Sequence, residues 1–291
     1  MALRGIKPKQ IEKRFKAFFY GEAGSGKTTA AINFPAPYLI DTEKGAENSQ
    51  YVEILEKKGG VVFQTSDFDD MVKEVKELMT VKHPYKTLII DPLTIVYNDL
   101  LDRAANKVGT EFGRHYGEAN KEMKRLMNLL LRLDMNVIIT SHSKKEYGDN
   151  LVVLGQTFDC YKKLDYLFDL VVEIQKRPSG RVGLIKKSRF KEFSEMEAIP
   201  FSYEEIASRY GKETLERDSK EIELANEDQI AEIKHYIDVL KYPQENIDKW
   251  LSKSVASDFS EMNKEDIQKC IDFLKSKINT INSIKHEDIE Q

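Results

Sequence analysis

Residues 18–34, FFYGEAGSGKTTAAINF, join a short apolar run to a helix-forming run through a glycine-rich segment. Gly21, Gly26, Lys27 and Thr28 satisfy the pattern G-x-x-x-x-G-K-[ST]. Glycines let the backbone curl so that successive N–H groups face one point, and the N-terminus of the following helix adds partial positive charge. The stretch therefore predicts a strand, a phosphate-binding loop and a helix.

The ligand expected in this loop is ATP with Mg²⁺. Lys27 would supply a point charge to the β- and γ-phosphates, and the Thr28 hydroxyl suits a Mg²⁺ shell. The predicted phosphate-binding residues are Gly21, Glu22, Ala23, Gly24, Ser25, Gly26, Lys27, Thr28 and Thr29. The alternative is a glycine-rich turn that only connects a strand to a helix.

Composition narrows the class of protein. The 291 residues include 45 Lys and Arg against 49 Asp and Glu, with a net charge of −4, so no overall basic excess indicates nucleic-acid binding. Cys160 and Cys270 are far apart and predict neither a disulfide framework nor a zinc site. The N-terminus lacks a signal-peptide pattern, and no apolar run is long enough to cross a membrane. We expect a cytoplasmic protein.

Apolar β-rich runs alternate with helical patterns up to about residue 201, which predicts a mostly parallel sheet flanked by helices. The predicted strands are 15–20, 38–41, 61–64, 87–91, 136–140, 170–175 and 181–186, and an amphipathic helix is predicted over 119–133. The expected organisation is an N-terminal arm (1–14), an α/β core (15–202), a short helix with a charged linker (203–225), a small all-α module (226–280) and a tail (281–291).

Three polar residues follow predicted strands at the carboxyl edge of the sheet, where ligands bind in open α/β folds. Asp91 ends KTLIID and is expected to bind Mg²⁺ together with Thr28. Glu43, in LIDTEKG, is the candidate general base for hydrolysis, although Asp41 to Glu43 could instead signal a helix start. His142, in VIITSH, is a candidate sensor of the γ-phosphate or an ordinary structural histidine.

Five segments in order resemble the RecA-type ATPases, specifically the small RecA-like recombinases of tailed phages known as Sak-four single-strand annealing proteins. The segments are GEAGSGKTT, LIDTEKG, LIIDPLT, VIITSH and LIKKSRF. The resemblance implies a RecA-like P-loop NTPase encoded by a phage and acting in the host cytoplasm. It also implies that Glu43 is catalytic and that His142, where RecA has glutamine, couples the γ-phosphate to DNA.

The fifth segment, LIKKSRF, concerns the assembly of subunits into an oligomer. In RecA filaments two lysines separated by one residue reach the nucleotide of the neighbouring subunit, and Lys187 and Arg189 stand at the matching positions. The resemblance implies a catalytic role for both, alongside Lys27, and a homo-oligomer, either a ring or a filament. The alternative is that IKKSRFK is an ordinary basic strand end.

The resemblance also places single-stranded DNA on two loops, within 103–118 and 143–163. The candidate cations are Arg103, Lys107, Arg114, Lys144, Lys145, Lys162 and Lys163, and the candidate stacking rings are Phe112, Tyr116, Tyr147, Phe158 and Tyr161. Cations that meet phosphates and rings that stack on bases suit sequence-tolerant binding of single strands.

The leading hypothesis is therefore a Mg²⁺-dependent ATPase that assembles on single-stranded DNA and promotes annealing or strand exchange. A second hypothesis is a nucleotide-switched adaptor, like a helicase loader, that presents its C-terminal module to a replication partner. A third is a plain signalling or packaging ATPase. The C-terminal helices resemble a module found in other phage annealing proteins, which implies contact with a single-strand-binding protein or DNA.

Overall fold

The computed structural model describes residues 13–178 and 180–287, so most of the predicted N-terminal arm and the last four residues lie outside the described residues. The strands are β1 (Lys16–Gly21), β2 (Pro37–Asp41), β3 (Val61–Gln64), β4 (Thr87–Asp91), β5 (Asn136–Tyr147), β6 (Val153–Phe158), β7 (Leu170–Arg177), β8 (Gly180–Ser188) and β9 (Ala198–Pro200). The α-helices are α1 (Lys27–Ile32), α2 (Ser49–Lys58), α3 (Phe68–Thr80), α4 (Leu93–Val108), α5 (Arg114–Arg132), α6 (Leu164–Leu167), α7 (Tyr203–Tyr210), α8 (Lys212–Glu216), α9 (Glu227–Leu240), α10 (Gln244–Lys253) and α11 (Lys264–Glu287).

The strands form one mixed sheet in the order β3-β2-β4-β5-β1-β7-β8-β9. The pairs from β3 to β7 are parallel, β7-β8-β9 is antiparallel, and β6 pairs with the far half of β5. Every residue of β1 and β4 is buried, as expected of central strands covered on both faces. The prediction of a mostly parallel sheet flanked by helices, followed by a helical C-terminal region, is confirmed.

Two of the seven predicted strands, 61–64 and 87–91, have their predicted bounds, four others differ by one or two residues at an end, and the fifth strand differs most. The fifth strand was expected to end at residue 140, but it continues to Tyr147 and turns back through β6 as a hairpin. In the pair of β7 with β8 the register shifts between Val171 and Val172, because Lys187 lies opposite Val171 whereas Ile185 lies opposite Val172. Lys186 is therefore the extra residue of a bulge, which reverses the side-chain alternation beyond it.

The described chain divides into two compact units. The first comprises 13–74, 83–123 and 134–219, and its core contains aromatic and aliphatic side chains from the sheet, α1, α2, α7 and α8. Leu215 is fully buried there, so part of the predicted charged linker belongs to this core as α8. No helix among the described residues has the length and hydropathy of a membrane span.

The second unit comprises 75–82, 124–133 and 220–287. Its core contains the buried residues Ile233, Met262, Ile267, Ile271 and Leu274, with Trp250 partly buried against them. Glu261 is fully buried and accepts hydrogen bonds from Arg125 Nε at 2.5 Å and from the Ser257 N–H at 2.8 Å, which offset the cost of burying its charge. The final helix continues to Glu287, beyond the predicted end of the module at 280, because no helix breaker interrupts the sequence after Ile278.

A lysine is buried at the start of the central strand. Lys16 is 5% exposed and its ammonium donates to the Met135 carbonyl at 2.9 Å. Burial, with a contribution from the nearby Arg14, lowers the pKa of Lys16 to about 7, against the partial opposition of Asp134 and Asp169. The ordinary value of 10.5 applies when the chain unfolds.

This pKa difference predicts a pH dependence of stability. Below pH 7 both states hold the proton and the cost of burying the charge is fully present. Between about pH 7 and pH 10 the unfolded state binds more protons, so the free energy of unfolding of the wild type should contain a contribution that rises with pH. Denaturant unfolding followed by circular dichroism at several pH values measures this slope. Lys16→Met should flatten it, whereas Lys145→Met on the exposed part of β5 should not; an unchanged slope in Lys16→Met contradicts the assignment.

Candidate functional site

The glycine-rich loop lies between the end of β1 and the start of α1. Gly24 and Gly26 have φ angles of 66° and 95°, a region that disfavours side chains, so glycine is required at both positions. At Gly21 a Cβ atom would lie 2.5 Å from the Ile174 carbonyl oxygen. The three glycines therefore allow a tightly curled loop directly beside β7.

Lys27 is buried at the first position of α1. Its ammonium donates to the carbonyls of Gly21 at 2.8 Å and Glu22 at 3.0 Å, which ties the two ends of the loop together. Burial lowers the pKa of Lys27, whereas the carboxylates of Asp91 and Glu43 act in the opposite direction. The cation thus stands in the loop with two carboxylates nearby.

Asp91 lies at the end of β4, buried beneath the loop. One carboxylate oxygen accepts a hydrogen bond from Thr28 Oγ1 at 2.5 Å, and the other accepts one from the Thr140 hydroxyl of β5. Burial raises the pKa of Asp91, and these two hydrogen bonds oppose the rise by stabilising the charged form. Thr28 and Asp91, predicted to share a metal ion, are therefore in direct contact.

These two groups fit Mg²⁺. A hydroxyl and a carboxylate oxygen are hard ligands of the type that Mg²⁺ prefers, and Mg²⁺ in nucleotide sites usually keeps waters and takes substrate phosphates as its other ligands. The part of the chain that the structure describes contains no group of three or more His, Cys, Asp or Glu arranged to hold a metal. Thr28 and Asp91 therefore match a Mg²⁺ site in which the protein supplies two oxygen ligands and phosphate oxygens supply others.

Asp41 organises the loop that carries Glu43. The buried Asp41 carboxylate accepts hydrogen bonds from the backbone N–H groups of Glu43 and Gly45 at 3.2 Å and of Ala46 at 2.8 Å. These bonds fix the chain after β2, and α2 begins only at Ser49. The segment is thus a loop held by Asp41 rather than the start of a helix.

Glu43 and His142 meet across this edge of the sheet. Glu43 Oε1 lies 3.1 Å from His142 Nε2, and both side chains are about 40% exposed. The backbone N–H of His142 donates to Thr94 Oγ1 at 3.0 Å, which links β5 to the first turn of α4. The two residues that the sequence separates by about a hundred positions therefore form one polar pair.

A cavity of about 230 Å³ contains these groups. It is lined by the loop, by residues at the ends of β2 and β4 and by one residue within β5, including Gly24, Lys27, Thr28, Glu43, Asp91 and His142. The structure therefore brings together, in one space, the predicted loop, metal ligands, base and sensor.

Lys187 and Arg189 lie elsewhere. The Lys187 ammonium donates to the carbonyls of Phe168, at 2.9 Å, and Asp165, and Arg189 pairs with Asp169 at 3.0 Å. Lys187 lies opposite Val171, five residues along β7 from Lys176, which contacts the loop. At a rise of about 3.3 Å per residue this is a separation of roughly 16 Å, so neither cation reaches the cavity of its own chain.

The predicted DNA-contacting cations lie on helices, on the hairpin of β5 and β6, and, for Lys162 and Lys163, in the turn before α6. Arg103 and Lys107 lie in α4 and Arg114 begins α5. Arg103 pairs with Asp67, Asp69 and Asp99 at 2.5–3.5 Å, and Lys107, Arg114 and Lys144 each pair with one carboxylate. Lys145, Lys162 and Lys163 are exposed and make no ion pair with described residues.

The predicted stacking rings fall into two groups. Phe112, Tyr116 and Tyr147 are at least half exposed. Tyr161 is only 5% exposed, and the Phe158 ring packs edge-on against Phe18 with centroids 5.0 Å apart. Tyr161 belongs to the packed interior, so the expectation that its ring is available to stack on bases is wrong. Phe158 is only partly buried, and its role stays a prediction.

Four residues of the site were missed or misjudged in the sequence. Asp41 was expected only as part of a possible helix start, and Thr140 only as the last residue of the predicted strand 136–140. Lys176 and Arg181 contact the loop from β7 and β8, and Arg181 donates to the Gly24 carbonyl at 3.2 Å. A contact between residues 157 positions apart has no local sequence signal.

Among solved structures, the chain is similar to one described as the crystal structure of the RadB recombinase, with 20% sequence identity, 63% of this chain and 86% of that chain covered, and a TM-score of 0.42. None of the curated proteins searched matches the chain.

A family profile described as an AAA domain, AAA_24, matches residues 13–197. This range is more than half of the 291 residues and includes the phosphate loop, Glu43, Asp91 and His142. It supports the expected P-loop NTPase and implies nucleotide binding. The chain belongs to the AAA_24 family of AAA domains.

Proposed function

We propose that this protein is a Mg²⁺-dependent ATPase that assembles on single-stranded DNA and promotes annealing or strand exchange, in the manner of the RecA-like phage recombinases of the Sak-four type. The observation that carries the ATPase part is the convergence of Lys27, the Thr28–Asp91 contact and the Glu43–His142 pair in one cavity. The DNA part depends on the resemblance and on the exposed cations of the first unit.

Different residues of the chain bind the phosphates, hold the metal ion and accept the proton. The loop N–H groups and Lys27 bind the phosphates, and Thr28 and Asp91 would hold Mg²⁺. When bound, Mg²⁺ neutralises charge on the β- and γ-phosphate oxygens. The Glu43 carboxylate accepts a proton from the attacking water, and its loop is fixed by Asp41.

His142 can couple hydrolysis to the hairpin of β5 and β6. Its imidazole contacts Glu43 while its backbone belongs to β5, whose far half pairs with β6. A γ-phosphate that hydrogen-bonds to His142 would compete with Glu43 for the same nitrogen. The contact thus gives a direct route from nucleotide state to the strand that carries Lys144 and Lys145.

Lys187 and Arg189 are proposed to act on the nucleotide of a neighbouring subunit. Their separation from the loop of their own chain, roughly 16 Å along β7 for Lys187, supports this proposal, and a cation that arrives from a neighbour ties hydrolysis to assembly. Arg189 is half exposed and therefore accessible to a second copy.

The nucleotide site generates the first functional prediction. Lys27→Ala should weaken ATP binding by about a hundredfold or more, because it removes a cation that makes charge-assisted hydrogen bonds to two phosphates. Glu43→Gln should keep binding within a few-fold and lower turnover by about 10²–10⁴-fold, because the amide cannot accept the proton.

Equilibrium titration with a fluorescent ATP analogue and a phosphate-release assay separate these effects. Glu47→Gln, on the same loop with its carboxylate bonded to Gln64, is the matched control and should leave both quantities unchanged. Full turnover in Glu43→Gln would show that another residue is the base.

Single-stranded DNA should raise the ATPase rate of the wild type, most strongly at low salt where counterion release favours binding. Replacement of Lys145, Lys162 and Lys163 by alanine together should reduce this stimulation, because these cations have no acidic partner among the described residues. Arg103→Ala should have a smaller effect because three aspartates already surround its charge.

Oligo-dT and a duplex of the same length serve as the compared ligands in this assay. If the ATPase rate is unchanged by single-stranded DNA but rises when a protein partner is added, the recombinase hypothesis is refuted and a nucleotide-switched adaptor is favoured.

A mixing experiment tests action between subunits. Lys187→Ala/Arg189→Ala should be defective in the assembled state, and should regain part of its turnover when mixed with Lys27→Ala, which contributes intact cations to the neighbour's site. Lys191→Ala, exposed on the same segment, should behave as wild type throughout. Absence of rescue at every ratio would place the function of these cations within their own subunit.

A further inference from the structure

Two cations lie at the turn end of the β7–β8 hairpin. Lys176 and Arg181 are directly opposite each other in the antiparallel register, so their side chains emerge on one face. This face is continuous with Val172 and Ile174, whose side chains belong to the core that also contains α1. The hairpin therefore directs both cations towards the side of the sheet on which the phosphate loop turns into α1.

Arg181 contacts the loop, and Lys176 lies beside it, at positions where glycine is required. A Cβ atom at Gly24 would lie 3.3 Å from Lys176 Nζ, and the Arg181 guanidinium donates to the Gly24 carbonyl at 3.2 Å. The aliphatic part of Arg181 lies 3.6 Å from a Cβ atom at Gly26. Any side chain at these two positions would meet the hairpin cations.

The charges of this pair are not balanced by nearby carboxylates. Lys186 on the opposite face pairs with Glu173 at 3.5 Å, and Arg177 donates to the Gln175 amide oxygen at 3.0 Å. In contrast, no described carboxylate pairs with Lys176 or Arg181. The ammonium of Lys27 also lies in this loop, where it donates to the Gly21 carbonyl at 2.8 Å. The two hairpin cations therefore add positive charge without a described carboxylate partner beside the phosphate loop, an arrangement that an anion stabilises.

Arg181 also lines a second cavity, of about 570 Å³, that includes Thr29 and Tyr203. This cavity shares Gly24 and Tyr51 with the cavity that contains Asp91. Arg181 thus lines a cavity that adjoins, at Gly24 of the loop, the cavity that contains Asp91.

We propose that Lys176 and Arg181 bind the phosphate chain of a nucleoside di- or triphosphate from within the same subunit, so that the β7–β8 hairpin forms the second side of the phosphate site. This proposal rests on the nucleotide binding proposed above. In this proposal β8 carries Arg181 at one end, which serves the nucleotide site of its own subunit. Lys187, at the other end of β8, is the cation proposed to serve a neighbouring subunit.

Direct binding of the full-length protein tests it. Lys176→Ala and Arg181→Ala should each raise the Kd for a fluorescent ATP analogue by about tenfold, on the scale of one charge-assisted hydrogen bond. Competition by tripolyphosphate, which has no nucleoside, should weaken by a similar factor, because the lost contacts are to phosphate. Arg181→Lys should retain part of the affinity.

Arg177→Ala is the matched control, because Arg177 neighbours Lys176 but faces the other side of the strand, and its Kd should stay within about twofold of the wild type. A wild type that binds no nucleotide refutes the proposed function itself. If the wild type binds and the Lys176 and Arg181 variants match Arg177→Ala, the present inference is overturned. Loss of ATP binding with unchanged tripolyphosphate competition also overturns it.

A mixing experiment separates this pair from Lys187 and Arg189. Lys176→Ala/Arg181→Ala mixed with Lys27→Ala should not regain binding or turnover, because each chain is defective in its own site. Recovery in this mixture would show that the hairpin cations serve a neighbour, contrary to the proposal.

Discussion

The carboxylate of Asp91 is the interaction on which the site depends. It accepts hydrogen bonds from Thr28 at the start of α1 and from Thr140 on β5, so one buried charge joins three elements of the sheet edge. Because β5 lies between β1 and β4, the hydroxyl of Thr140 is placed directly beside the loop strand. Removal of the carboxylate would leave the hydroxyls of the buried Thr140 and the partly buried Thr28 without their acceptor, at a cost to the geometry of the loop.

The parts of the structure that were predictable from sequence are those with local signals. The apolar runs that become β3 and β4 were predicted with their observed bounds, and the loop pattern predicted the turn from β1 into α1. Asp91 and Glu43 were recognisable because parallel strands bring their carboxyl ends to one edge. The sequence therefore indicated which residues would share a cavity, although not which of them would touch.

What could not be predicted depends on contacts between distant residues. The extension of β5 beyond residue 140 is polar and exposed, so its strand character comes from pairing with β6 rather than from hydropathy. The partners of Arg103 come from both α3 and α4, and the burial of Tyr161 depends on packing against α4. The Glu43–His142 pair likewise exists only because β5 lies where the sheet order places it.

The bulge at Lys186 gives β8 two chemically distinct ends. Before the bulge, Arg181 and Ile185 share the face of the core and the phosphate loop; after it, Lys187 faces the opposite side with Val171. Arg181 and Lys187 are six residues apart, so a regular strand would place them on the same face, and it is the bulge that separates them. If one residue were inserted or deleted between Arg181 and Ile185 while Lys187 kept its pairing with Val171, Arg181 would turn to the face opposite the phosphate loop. The number of residues between Arg181 and the bulge therefore decides whether this cation faces the loop.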